Sequence, residues 1–303
     1  MISIETRQKV FFTNDNVTLA AWHYSGTNGA CLVMAGGAGV TKEPATDRFA
    51  ERFNEAGYSV LAFDFRRLGE SGGEPRQVVR IRDQLRDFEA AIAFARTLPE
   101  VDPARIALWG YSLSGGHVIR IAARNPDIAV VIAQAPLADA RAAAPNALRS
   151  MTVGAFLRLT GRGLLDAIGG LFGRRPLLVA LSGARGEVAT ITTPDSADAG
   201  RALNPGNRYP DWQQAVAARS TLTTGFYRPG RDAARVRCPL LVVASDDDRT
   251  VLADPGILAA ARAPRGEVVR LPGRHYASLL EAHEQAVEAE LEFLGRSLRL
   301  FER

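Results

Sequence analysis

The stretch Ile106-Ala107-Leu108-Trp109-Gly110-Tyr111-Ser112-Leu113-Ser114-Gly115-Gly116-His117-Val118-Ile119 restricts this chain more than any other. Its first four residues form an apolar run suited to a strand buried on both faces, and the residues beyond Ser114 suit a helix. Between them the backbone has to reverse sharply, which requires small residues two positions either side of the central serine. Gly110 and Ser114 meet that need around Ser112. The pattern is G-x-S-x-G with its second glycine replaced, so a rival register centres on Ser114, between Ser112 and Gly116. Ser112 is preferred, because the apolar run ends at Trp109 and leaves Ser112 in the turn itself, whereas Ser114 falls in the first helical turn. The plainer reading is a glycine-rich strand-helix junction without chemistry.

The flanking sequence repeats the theme of strand, loop and helix. Val10 to Thr13 and Val17 to Tyr24 alternate apolar and polar residues around Asn14-Asp15-Asn16, as a hairpin does. Ala30 to Met34 is continuously apolar and runs into Ala35-Gly36-Gly37-Ala38-Gly39, a flexible loop at a strand's carboxyl end. Phe49, Phe53 and Ala56 share a helical face closed by Gly57, and Ser59 to Phe63 is the next strand. Arg82 to Leu98 reads as an amphipathic helix stopped by Pro99, and Ala129 to Ala133 as a further strand. Strands alternating with helices predict an α/β fold: a mostly parallel central sheet with helices on both faces. Ligands in such sheets bind beyond the carboxyl ends of the strands, where both the glycine loop and Ser112 fall.

The alternation stops between Pro136 and Arg237. Val153 to Leu159, Leu164 to Phe172 and Pro176 to Leu181 are apolar in helical or irregular spacing, interrupted by Gly161, Gly163, Gly169, Gly170 and Gly173. About a hundred residues of this kind between two sheet strands predict a helical lid inserted after the sixth strand. The expected organisation is a core of residues 1–136 and 237–303 with a lid over residues 137–236. Sheet character returns at Cys238 to Ala244 and Glu267 to Leu271, and Glu284 to Leu298 reads as a closing helix.

Composition removes several classes of function. With 303 residues and 47% hydrophobic content, the chain can bury a full core. Its net charge of +4 comes from scattered arginines, with Lys9 and Lys42 the only lysines, so no basic tract is available to track nucleic acid. Cys31 and Cys238 each open an apolar run, read as buried free thiols, and no Cys/His spacing suits a metal; neither metal nor cofactor is expected. Glu5, Arg7 and Lys9 stand where a secretory leader would be apolar, and no run reaches the ~18 residues of a membrane span. A cytoplasmic setting is expected. Apolar lid residues could cover the site or meet a second copy of the chain, so a homodimer is a possible assembly.

A serine hydroxyl needs a base to become a nucleophile, and the base needs an acid to fix its tautomer. Of four histidines, His23 lies in the early hairpin, His117 points away along the helix after Ser112, and His283 starts the last helix. His275 stands in the loop Pro272-Gly273-Arg274-His275-Tyr276 after the last strand, in the order serine, acid, histidine. The acid should follow the strand ending at Ala244, where Ser245-Asp246-Asp247-Asp248-Arg249-Thr250-Val251 offers three aspartates. Asp248, three past Ser245 and three before Val251, fits best; Asp247 is the alternative, and Asp139 a distant third. An oxyanion would need two backbone N–H donors, expected from Leu113 at a helix start and from Ala38 in the glycine loop.

Together these residues resemble the α/β-hydrolase superfamily, and within it the lidded bacterial branch near dienelactone-hydrolase-like and X-prolyl-peptidase-like enzymes. Val33 to Lys42 is similar to that branch's V-M-A-H-G-F-G-A-T-R, Asp64 to Gly73 to its D-Y-R-G-F-G-E-S-G-G, and Leu108 to Val118 to its L-W-G-T-S-F-S-G-G-H-V. The last likeness supports Ser112 and makes Ser114 ordinary. By the same likeness Phe226-Tyr227-Arg228-Pro229 ends the lid. Three departures stand out: Gly36 replaces the histidine before the oxyanion glycine, Ala38 an aromatic, and Arg67 a glycine. The first two imply a wider pocket and a looser loop.

The expected function is a serine hydrolase cleaving a carboxylic ester, thioester or lactone of a small to medium apolar substrate. The acyl-enzyme would form on Ser112, with His275 as base and then acid and Asp248 orienting it. The same three residues serve peptidases and acyltransferases, and a non-catalytic ligand-binding homologue is the alternative from a different class.

Overall fold

A computed structural model describes residues 7–299 of the chain; Glu5 lies outside them. The chain opens with β1 (Gln8–Asn14) and β2 (Val17–Tyr24), an antiparallel hairpin turning through Asp15 and Asn16, both at positive φ. Short polar side chains tolerate that conformation. β3 (Cys31–Ala35), α1 (Asp47–Glu55), β4 (Ser59–Phe63) and α2 (Ile81–Ala95) follow. Next come β5 (Ile106–Tyr111), α3 (Leu113–Ala122) and β6 (Val130–Gln134).

Residues 140–224 hold α4 (Ala140–Arg149), α5 (Val153–Leu171), β7 (Leu178–Ser182), β8 (Ala189–Ile191), α6 (Ala199–Leu203), β9 (Ala215–Ala217) and α7 (Thr221–Thr224). The chain then re-enters the sheet with β10 (Leu240–Ser245), α8 (Ala253–Arg262), β11 (Gly266–Leu271) and α9 (His283–Arg299).

The main sheet has eight strands in the order β1-β2-β4-β3-β5-β6-β10-β11. From β4 onward every pairing is parallel. Strands β3 to β6 and β10 are buried at every residue, which explains their unbroken apolar sequences. α1 and α9 touch each other over one face, while α2 and α3 touch over the other. Phe49 and Phe53 of α1 face inward, and Gly57, at φ +89°, turns the chain back into β4. Both cysteines are buried free thiols.

Between β3 and β5 the chain changes its direction of travel across the sheet, and Ala35 pairs with Gly110 there. The loops leaving these two strands therefore meet, which is where a crevice opens in an open α/β sheet. The loops after β10 and β11 leave from the same edge.

Three expectations need correction. The inserted stretch is not wholly helical: Pro176 to Leu181 runs into β7, which pairs with β8 and β9 in a separate three-stranded sheet. Val179 and Leu181 are buried while Leu178 and Ala180 are exposed, a period of two hidden because every residue in the run is apolar. Val153 to Phe172 is not broken at its glycines, since α5 runs continuously from the Thr152 cap, whose hydroxyl accepts from Ala155 N at 3.1 Å. A Cβ on Gly163 would stand 3.1 Å from Leu222, so this glycine admits a close neighbour rather than ending the helix. Finally, α2 ends at Ala95, and the residues up to Leu98 close tighter turns, Thr97 N to Phe94 O and Leu98 N to Ala95 O.

Arg67, the departure from glycine, holds φ at +72°, and its guanidinium pairs with Asp83 at 2.6 Å. The family's glycine suits that left-handed backbone; here an ion pair accompanies the strained residue.

Candidate active site

Ser112 sits between β5 and α3 at φ +56° and ψ −114°, a conformation a serine adopts only when its surroundings impose it. Gly110 shows why the turn needs small residues, since a Cβ there would lie 2.2 Å from Ser114 O. Ser112 N donates to Gln134 O at 2.9 Å and Ser112 O accepts from Leu137 N at 2.8 Å, so the turn is tied to the end of β6. Ser114 has a different environment. It is buried, and its hydroxyl has no hydrogen-bond partner among the described residues.

His275 Nε2 lies 3.1 Å from Ser112 Oγ, and His275 Nδ1 lies 2.7 Å from Asp248 Oδ2. The two separations bring together residues 163 and 27 positions apart. The other oxygen of Asp248 accepts from Thr250 N at 2.8 Å and Val251 N at 2.9 Å, which fixes the carboxylate plane. Tyr111 donates its hydroxyl to His275 O at 2.9 Å, and the rings of Tyr111 and Tyr276 pack on the imidazole.

Electrostatics follow from this geometry. Burial works against the charged forms of both partners, yet the facing opposite charge and the shared hydrogen bond outweigh it. His275 is therefore held above the ordinary histidine value and Asp248 below the ordinary carboxylate value.

The remaining candidates have other occupations. Burial, with Arg120 nearby, pushes His117 down to about 3, and its nitrogens meet Tyr227 Oη at 2.8 Å and Gln84 Oε1 at 3.0 Å. His23 pairs with Glu100, and His283 bonds Ser278 O. Asp247 is exposed, Asp246 pairs with Arg270, and Asp139 caps α4 while holding Arg228.

The loop Ala35 to Val40 lies over Ser112: a Cβ on Gly37 would stand 3.4 Å from Ser112 Cβ. Leu113 offers the first N–H of α3, which no helical carbonyl can reach. A Cβ on Gly36 would meet Val40 Cγ1 at 2.9 Å, so Val40 occupies that side. Gly39 O accepts from Trp212 Nε1 at 2.9 Å, and Lys42 N donates to Asp64 Oδ1 at 2.7 Å beyond the loop.

Two cavities meet at Ser112. One, of about 380 Å³, is bordered by Ala38, Leu113, Leu137, Ala143, Phe156 and other largely apolar side chains. The other, of about 50 Å³, is bordered by His275, Tyr276, Trp212, Gln214 and Leu203. A larger groove beside Asp139, Arg228 and Arg262 contains none of Ser112, Asp248 and His275. Among the described residues no cluster of three or more His, Cys, Asp or Glu side chains could hold a metal ion.

Asp195 escaped the sequence reading. It is fully buried, and its Oδ2 accepts from Arg249 N and Thr250 Oγ1, both at 2.8 Å. In sequence, Thr193-Pro194-Asp195 is an ordinary turn opener, 53 residues before Asp248, and nothing in its spacing marks it.

Residues 27–175 match the family described as serine aminopeptidase, S33. The quorum-quenching protein AidA of Acinetobacter baumannii is 36% identical over 292 residues, covering 95% of this chain and 94% of that protein. The thiohydrolase aneE of Aspergillus aculeatus is 41% identical over 131 residues, covering 43% of this chain and 41% of its own. Among solved structures, the α/β hydrolase GrgF from Penicillium superposes with a TM-score of 0.81 at 22% identity, over 97% of this chain and 99% of that one.

Proposed function

The chain belongs to the α/β-hydrolase superfamily, and we propose that it hydrolyses ester-type bonds, with Ser112 its nucleophile, His275 its base and Asp248 the acid that orients the base. The observation that carries this reading is the unbroken line of hydrogen bonds from Asp248 through His275 to Ser112, at 2.7 and 3.1 Å. Ser112 Oγ attacks the substrate carbonyl carbon while its proton passes to His275 Nε2, and the imidazolium is stabilised by Asp248. The carbonyl oxygen becomes an oxyanion facing the N–H groups of Ala38 and Leu113; losing one such donor costs ~3–4 kcal/mol in comparable enzymes. Collapse breaks the bond to the leaving alcohol or thiol, which takes the proton from His275. Water, deprotonated by the same nitrogen, then cleaves the acyl-enzyme, releasing a carboxylic acid and restoring Ser112.

The two cavities give the substrate a direction. His275 borders the small cavity, so the leaving group it protonates belongs there, and the acyl part belongs in the apolar cavity of about 380 Å³. Residues 137–236 act as the lid that walls both, with the part in β7 to β9 facing the glycine loop: a Cβ on Gly39 would meet Val216 at 2.5 Å and Leu181 at 2.9 Å. The thiohydrolase name of one relative supports a thioester beside an oxygen ester, and the quorum-quenching name of another supports a signal molecule as the acyl donor.

The test is a panel of p-nitrophenyl esters and acyl thioesters of increasing acyl length, with fluorophosphonate labelling alongside. The wild type should turn over and be labelled, and Ser112→Ala should do neither. Labelling that persists in Ser112→Ala removes the assignment, and ester binding without turnover in the wild type favours the non-catalytic alternative.

A further inference from the structure

Helix α5 presents its apolar face to solvent. Val153, Leu157, Leu164, Ile168 and Leu171 recur at spacings of four, seven, four and three, which sets them in one stripe. They are 77%, 62%, 52%, 54% and 84% exposed, and Phe172, 77% exposed, extends the stripe. The opposite face is anchored: Ala155, Gly163 and Asp166 are buried, and Asp166 accepts from Arg219 Nε, Arg219 N and Leu177 N, each at 2.8 Å. The stripe is therefore left over after the helix has made its inward contacts, and monomers seldom expose a continuous apolar patch of this extent to water.

The charge around the stripe indicates what covers it. From residue 140 to residue 186 the chain carries seven arginines, no lysine and one acid, Asp166, already taken by Arg219. Arg158, Arg174 and Arg175 are exposed near the stripe, and none is paired with a carboxylate among the described residues; Arg162, also exposed, lies round the helix from it. A second copy related by a twofold axis would bring this arginine-rich surface against itself, and the next carboxylate along the chain, Glu187, already accepts from Ala184 N at 2.8 Å. An anionic bilayer meets both demands, phosphates for the guanidinium groups and a headgroup boundary for the leucines.

We propose that this face docks the protein onto an anionic phospholipid surface with α5 lying flat. No helix among the described residues is long and apolar enough to cross a membrane, which suits adsorption rather than insertion. Leu148 and Phe156, both exposed, also border the apolar cavity at Ser112, so the docked face would open that cavity toward lipid. That last step rests on the catalytic reading; the docking does not.

The experiment is sedimentation of the full chain with vesicles of equal parts phosphatidylglycerol and phosphatidylcholine, and with phosphatidylcholine alone, alongside a solution mass by light scattering. The protein should pellet with the anionic vesicles and bind at least about tenfold less well without phosphatidylglycerol or in about 0.5 M salt. The double variant Leu171→Ser/Phe172→Ser should weaken binding at least about tenfold, while its melting midpoint and its hydrolysis of a soluble ester stay unchanged, because neither side chain borders a cavity. Absence of binding to anionic vesicles overturns the proposal. So does a wild-type mass of two chains that the double variant halves, which makes the face an interface between copies. Ser112→Ala should pellet like the wild type, so a failure of the catalytic reading leaves the docking result intact.

Discussion

Asp195 and Thr250 share a hydrogen bond of 2.8 Å between carboxylate and hydroxyl, and through it the insert grips the loop that carries Asp248. Thr193 Oγ1 adds a second contact to Thr250 Oγ1 at 2.8 Å. The other oxygen of Asp195 is buried without a partner among the described residues, and the charge of Asp195 is one of the influences that raise His275. Asparagine at this position keeps an acceptor for the two donors and removes the charge. In Asp195→Asn the ascending limb of kcat/KM against pH should therefore move to lower pH with the fold retained, and an unmoved limb would show that Asp195 only braces the loop. Asp195→Ala strands both donors and should cost about 1.5–3 kcal/mol of stability in urea titrations.

The two serines of the turn separate under substitution. Ser112→Ala should abolish turnover, whereas Ser114→Ala should keep it, since only Ser112 Oγ meets His275. Ser114→Ala also removes a buried, unpartnered hydroxyl and should stabilise the protein by about 1 kcal/mol. Loss of activity in Ser114→Ala with Ser112→Ala still active would restore the rival register.

Asp248→Asn should lower kcat by about 10⁴-fold with little change in fold, because the amide can turn a donor toward Nδ1 and spoil the tautomer. The pair also makes stability depend on pH, with opposite signs for its two members. His275 is raised, so its contribution is complete below the unfolded value of about 6.5 and is lost as pH rises through the folded value. Asp248 is lowered, so its contribution is present above about 3.9 and is lost as pH falls through the folded value. Urea midpoints above pH 6.5 should accordingly fall more steeply in the wild type than in His275→Asn, and parallel slopes would contradict the raised histidine.

Glu290 of α9 is fully buried; one oxygen accepts from Trp109 Nε1 at 3.1 Å and the other has no partner among the described residues. Burial drives it well above the ordinary carboxylate value, only partly offset by the indole. The folded state thus holds a proton that the unfolded state releases above about 4.3, and stability is lost as pH rises from there toward the folded value. Glu290→Gln keeps the acceptor for Trp109 and has no proton to lose. Its stability relative to the wild type should grow between pH 5 and pH 8, and a constant difference would mean that Glu290 is ionised in place.

The meeting of Ser112, Asp248 and His275 could be read from sequence because each hangs on a strand end. A buried strand advertises itself as an apolar run, and the first suitable serine, aspartate and histidine beyond β5, β10 and β11 are the residues that meet. The insert has no such markers. Leu178 to Leu181 hides its period of two, the glycines of α5 read as breaks although Gly163 serves close packing, and Asp195 acts through a contact that exists only after the insert has folded back. Burial of α5 likewise cannot be read from its composition, because its leucines face outward and its small residues face in.

Trp212 supplies the last prediction. Its indole N–H holds Gly39 O at 2.9 Å, which fixes the end of the loop whose Ala38 N–H is proposed to face the oxyanion. Phenylalanine keeps most of the packing and drops the donor, leaving the loop to Val40 N with Gly37 O and to the contacts of Gly39 with Val216 and Leu181. The oxyanion exists only on the way to the transition state, so a displaced donor acts on kcat and not on ground-state binding. Trp212→Phe should lower kcat by about ten- to a hundredfold while the affinity for an unreactive substrate analogue stays put. Equal losses in kcat and affinity would instead place Trp212 in the wall of the leaving-group cavity alone.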